Sequence, residues 1–123
     1  MKRMRITWPK GSLTAVLDDT PTSRALFDAL PLAASANTWG DEVYFGVPVR
    51  STLEADAREV VEPGTVCFWV EGSALALPFG PTPVAKAGEC RLVTRVNVLG
   101  KLECNPRMLA SVRDGDDMRI EEV

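Results

Sequence analysis

Residues 66–83, Val-Cys-Phe-Trp-Val-Glu-Gly-Ser-Ala-Leu-Ala-Leu-Pro-Phe-Gly-Pro-Thr-Pro, form the longest apolar run in the chain, and they limit its fold more than any other stretch. Two segments dense in Val, Phe, Trp and Leu flank a Glu71-Gly72-Ser73 turn, where Gly72 can take the positive φ that a tight reversal requires. Neither segment alternates apolar with polar. A strand that is apolar on both faces is covered on both, so this hairpin is expected to lie between a barrel interior and a covering helix.

The 123 residues are read as one domain, 1–123, because two would each sit near the size at which a single core becomes marginal. A net charge of -3, with acidic and basic residues mixed along the chain, offers no basic patch to displace counterions from a nucleic acid. No segment approaches the roughly 20 apolar residues that span a bilayer, and Met1-Lys2-Arg3-Met4-Arg5 leads into Ile-Thr-Trp-Pro instead of an apolar signal core, so no membrane partner and a cytoplasmic location are expected. Cys67, Cys90 and Cys104 are odd in number and unclustered, which fits free thiols better than a disulfide framework.

The chain has no histidine. That removes the usual general base near neutral pH, the Ser-His and Cys-His nucleophile pairs, and the commonest transition-metal ligand. With no GxxxxGK[ST] and no GxGxxG either, neither a metal nor a cofactor is expected.

Along the chain, Lys2 to Trp8 alternates with Met4, Ile6 and Trp8 on one side, and Leu13 to Leu17 returns as a second strand. Asp19 or Thr20 as cap, Pro21 as first residue and Pro31 as stop mark a helix whose apolar face is read as Ala25, Leu26, Ala29 and Leu30. A strand through Asn37, a turn at Trp39-Gly40-Asp41 and a strand Glu42 to Phe45 come next. Glu62-Pro63-Gly64-Thr65 has the residues of a type II turn, and the two prolines after Gly80 make a loop. Cys90 to Glu103 reads as one long strand broken at Gly100. Asn105-Pro106 starts a second short helix, and Met118 to Val123 closes as a strand beside the first. The sum is a mainly β domain, a closed eight-stranded antiparallel barrel with two short capping helices. Side chains fill a barrel of that size, so a binding site belongs on its outside or at a mouth.

Three stretches, Asn37-Thr38-Trp39-Gly40-Asp41-Glu42-Val43-Tyr44-Phe45, Leu77-Pro78-Phe79-Gly80-Pro81-Thr82-Pro83 and Val96-Asn97-Val98-Leu99-Gly100-Lys101, resemble the compact cyclophilin-like proteins of bacteria and archaea, whose function is not established. The resemblance covers nearly the whole chain and implies a closed eight-stranded barrel capped by helices. More distantly, residues 96–103 with the helix Met108 to Val112 resemble the strand and closing helix of true cyclophilins, and Gly72-Ser73 resembles the Gly-Ser that begins a catalytic-face strand there. Where cyclophilins continue with Gln and aromatics, this chain has Ala74, Leu75 and Ala76, and no Phe-His-Arg strand occurs in Asn37 to Phe45.

Three functions compete. The first is a binding module whose groove is edged by Trp39, Glu42, Tyr44, Phe68 and Trp69 and holds a small molecule or an extended peptide, since aromatic walls around one carboxylate suit an amine or a proline-like ring. Against it stands a plain strand reading in which Val43 and Phe45 face the core, Glu42 and Tyr44 are solvated, and Phe68, Trp69 and Phe79 are core. The second is a divergent peptidyl-prolyl isomerase, which must lower a barrier of roughly 20 kcal/mol by gripping a twisted amide. Arg58 is its one candidate cation. The third is an assembly role with homodimerisation through a barrel edge.

Overall fold

The computed structural model describes residues 2–123. The opening hairpin pairs β1 (Lys2–Trp8) with β2 (Gly11–Leu17), Lys2 opposite Leu17 and Trp8 opposite Gly11. Period-two alternation turns Met4, Ile6 and Trp8 inward from one strand and Leu13, Ala15 and Leu17 from the other. Next comes α1 (Pro21–Asp28), capped by Thr20, whose side-chain oxygen accepts from the Ser23 N–H, with Pro21 in the first turn. Its buried face is Thr22, Ser23, Leu26 and Phe27 instead of Ala25, Leu26, Ala29 and Leu30. The rotation has a polar cause. Thr22 and Ser23 hydrogen-bond to buried groups of the barrel wall, and Leu26 and Phe27, one turn on, follow them into the core.

The remaining strands are β3 (Leu32–Ser35), β4 (Asn37–Thr38), β5 (Glu42–Gly46), β6 (Arg58–Val61), β7 (Thr65–Trp69), β8 (Ala74–Pro78), β9 (Cys90–Leu102) and β10 (Asp117–Glu122). Nine of them follow one another in the order β3-β10-β1-β2-β9-β7-β8-β5-β4, each pair antiparallel, and β6 pairs β9 off this path. The barrel is nearly closed: β3 pairs β10, β4 pairs β5, and Ala36 alone separates them, so one extended stretch changes partner across the seam. Ala36 donates to the Asp116 carbonyl at 2.9 Å and accepts from the Gly115 N–H at 2.8 Å. The ring thus has nine strands where eight are read from sequence, because Leu32–Ser35 is a strand in its own right.

The central hairpin is buried on both faces, as its composition requires, β8 along its whole length and β7 as far as Phe68. Its outer cover, however, is a β-ribbon and not a helix. Residues 97–102 of β9 belong to the ring, against β7 and β2, while Val96, Arg91 and Cys90 pair with β6. Leu99 bulges within the ring segment of the strand, since Val66 faces Gly100 and Cys67 faces Val98. Gly100 does not break the strand. It lies so close to β2 that a Cβ there would run into the Val16 carbonyl and Leu17. Gly72 likewise serves close approach, because a Cβ would meet the Trp69 ring, and the positive φ of the turn falls on Ser73 at 47°. Gly64, at φ 89°, does fill the left-handed position of the 62–65 turn, closed by the Thr65 N–H on the Glu62 carbonyl at 3.1 Å.

Two cores result. The larger fills the barrel, with Phe45, Phe68, Leu75, Leu77, Leu99 and Ile120 at its centre and Leu26 and Phe27 of α1 against it. A 3₁₀ helix, Pro106–Ser111, adds Leu109 and is tied by the Trp8 Nε1–H to Ser111 Oγ at 2.8 Å. The smaller core lies outside the barrel wall, where Val61, Cys90, Leu92 and Val96 of the ribbon pack on Cys67 and Ala76. Among the described residues no helix is long and apolar enough to cross a membrane.

Candidate functional site

Alternate residues of β5 face opposite ways: Val43 and Phe45 enter the barrel, and Glu42 and Tyr44 point outward under the ribbon. Ala76 of β8 stands opposite Tyr44, Cys67 of β7 stands opposite Ala76, and Trp69 stands opposite Ala74. The outer face of these three strands is therefore high at Tyr44 and Trp69 and low at the two alanines. The ribbon bridges the high points and leaves a pocket of about 140 Å³ over Ala76, walled by Trp39, Tyr44, Trp69, Leu92 and Val96 and edged by Val93. That is close to the ~150 Å³ of an apolar cavity able to hold one benzene ring.

Glu42 and Thr94 complete the lining. Glu42 Oε1, Trp69 Nε1 and Thr94 Oγ1 are buried side-chain atoms without a hydrogen-bond partner, and among the described residues no other side-chain nitrogen or oxygen is in that condition. Buried polar atoms are almost always paired, because an unmade bond costs about 1–3 kcal/mol. All three lie on residues that line this one pocket. Glu42 is only 5% exposed. Burial pushes its carboxyl up from an ordinary 4.5 to about 7, and no lysine or arginine lines the pocket to oppose this. The site thus offers an indole N–H donor, a hydroxyl that donates or accepts, and a carboxyl able to do either near neutral pH.

The turn before β5 holds Trp39 at the pocket edge. Trp39 donates to the Glu42 carbonyl at 2.9 Å, Asp41 donates to the Pro81 carbonyl at 3.0 Å, and the Phe79 N–H donates to the Asp41 carbonyl at 2.8 Å. Gly40, at φ 59°, packs on the same loop so tightly that a side chain would strike Pro83. Arg107 donates to the Asp41 carboxylate at 2.9 Å and lies over the Phe79 ring.

Of the residues singled out from sequence, Trp39, Glu42, Tyr44 and Trp69 meet in this pocket. Phe68 does not: as the neighbour of Trp69 in a strand it points the opposite way and is fully buried in the barrel. Arg58 is exposed on β6 and lines a separate groove with Asp18, Glu62 and Lys101, so no cation is brought to the pocket for the isomerase reading. Glu42 is not the solvated strand carboxylate of the plain reading, because the ribbon covers the face on which it stands. Sequence reasoning missed Thr94, Leu92, Val96 and Ala76. The even spacing of 92, 94 and 96 within an extended segment was the available signal, and what it lacked was the surface those residues cover. Among the described residues no three acidic, cysteine or histidine side chains gather as a metal site needs.

Comparison with known proteins places the fold. The family model described as cyclophilin-like matches residues 2–121. The hypothetical protein AF2241 from Archaeoglobus fulgidus, known from its solution structure, is 35% identical, with a TM-score of 0.85 over 99% of this chain and 95% of that one. McbB, solved in complex with tryptophan, matches with a TM-score of 0.68 at 14% identity over 96% of this chain and 44% of its own, a likeness of fold. No curated protein matches the chain.

Proposed function

This chain belongs to the cyclophilin-like family, and from that premise we propose that it binds a small molecule, one flat apolar ring bearing a polar head, in the pocket between the barrel wall and the β6–β9 ribbon. The observation that carries the reading is the set of unpartnered atoms, Glu42 Oε1, Trp69 Nε1 and Thr94 Oγ1, on the wall of one ring-sized pocket. A primary amide head could serve all three, its oxygen accepting from the indole N–H and the Thr94 hydroxyl and its N–H donating to the carboxylate. An extended peptide would place only one side chain there, since the volume admits a single ring.

The test is a titration followed by ¹H–¹⁵N NMR, with benzamide, benzylamine and L-tryptophan as probes; the last is the molecule present with McbB. Benzamide is expected to bind with a Kd on the order of 1 mM, the range for a fragment of this size. It should move the Trp39 and Trp69 indole signals and the amides of 92–96. Trp39→Ala should weaken binding while unfolding stays cooperative. Saturable shifts elsewhere, or none with any probe, would refute the reading.

A further inference from the structure

The pocket holds more than a binding site needs. A ligand held by shape alone is served by the aromatic walls, yet the buried Glu42 lines the same pocket as the Trp69 indole and the Thr94 hydroxyl, with no cation lining the pocket to neutralise it. A carboxylate in a largely apolar pocket is a stronger base than one in water, because burial removes part of the solvation of its charge. Two donors that line the same pocket, the Trp69 indole N–H and the Thr94 hydroxyl, can stabilise negative charge that develops on a ligand oxygen. We propose that Glu42 moves a proton on a small carbonyl compound bound in this pocket, with Trp69 and Thr94 holding the oxygen. The inference rests on the binding reading above and adds a reaction to it.

The step balances without a cofactor. Glu42 Oε1 takes the hydrogen from the carbon beside the carbonyl. The C–H bond breaks, an O–H bond forms on the carboxyl, and the electron pair moves to the carbonyl oxygen as an enolate. The Trp69 Nε1–H and the Thr94 hydroxyl donate to that oxygen. Glu42 then returns the proton to the same carbon, or to the enolate oxygen or a conjugated carbon, and ends as the carboxylate it began as. The reaction class is keto–enol or double-bond isomerisation, and a flat, one-ring carbonyl compound is the substrate class the walls admit.

A base that is half ionised at neutral pH suits this work, and the carboxyl lies in that range. The ionisable groups around it do not compete. The Cys67 and Cys90 thiols behind it in the small core are pushed up by burial and stay protonated. Asp41, the preceding residue, is paired with Arg107. Tyr44 stands in the pocket wall, and Arg58, on the ribbon strand β6, lines a separate groove.

Phenylacetone, a ring one carbon from a carbonyl, tests the proposal. In D₂O the protein should accelerate exchange of its benzylic hydrogens for deuterium, read by ¹H NMR, with a rate that rises with pH and levels off above about 7. Glu42→Gln should lower the protein-dependent rate by about 100-fold or more, and Trp69→Phe by about 10- to 100-fold. Benzamide, which has no exchangeable hydrogen on carbon, should stop exchange in the wild type at the concentration at which it binds. That control needs no variant, so a Glu42→Gln protein that failed to fold would not protect the proposal. Phenylacetone binding without accelerated exchange, or exchange indifferent to benzamide, would overturn the proton transfer and leave binding intact. No binding of any probe would overturn both.

Discussion

The proposed chemistry rests on Glu42, and the burial of that residue leaves a trace in stability. A carboxyl that titrates near 7 in the folded chain and near 4.5 in the unfolded one keeps its proton longer when folded. Its favourable contribution is therefore complete below pH 4.5 and is lost as the pH rises to 7, a span of about 3 kcal/mol. Glu42→Gln removes the titration. The variant should exceed the wild type in stability by up to about 3 kcal/mol at pH 8 and match it closely at pH 4, as measured by urea unfolding. A difference independent of pH would mean that water reaches the carboxyl. Asn97, fully buried, is the opposite case, a polar side chain whose oxygen and nitrogen are both paired. Its Oδ1 accepts from the Glu54 N–H at 2.8 Å, and its Nδ2 donates to the Thr52 carbonyl at 2.9 Å and to Thr22 Oγ1 at 3.1 Å. It fastens α1 and the 52–54 loop to β9. Asn97→Leu strands those partners and should cost about 2–3 kcal/mol, with the loss of protection concentrated in 51–54 by hydrogen exchange.

At the scale of elements, two glycines set how closely strands and rings approach. Gly100→Ala forces a methyl into the β2 backbone and Gly72→Ala into the Trp69 ring, so each should cost about 1–3 kcal/mol. Only the second should displace the Trp69 indole NMR signal, because only there does the pocket wall move. Much at this level is legible in the sequence. The first hairpin, the Thr20–Pro21 start of α1 and the 62–65 turn follow from local punctuation and alternation, and the pairing of β10 with β1 follows from closing the sheet into a barrel. Less legible is whatever depends on which surface an element meets. The buried face of α1 is decided by Asn97 and the Leu99 carbonyl, far away in the chain. The partner switch at Ala36 has no local signature. For the site, Trp39, Glu42, Tyr44 and Trp69 could be named from aromatic content around a carboxylate, whereas Thr94 could not. Nothing in residues 90–96 says that half of a long strand leaves the ring to cover Glu42.

The whole molecule is a barrel filled by side chains, with a second, smaller core built outside its wall by a two-stranded ribbon, and the proposed binding site lies in that outer layer. There the gap in packing and the three unpartnered polar atoms share one place. The most direct test follows the Glu42 carboxyl carbon by ¹³C NMR through a pH titration, with and without benzamide. The expected result is a midpoint near 7 in the free protein, moved downward by benzamide as the amide N–H donates to the carboxylate. A midpoint near 4.5, unmoved by benzamide, would contradict both the enclosure of Glu42 and the occupation of its pocket.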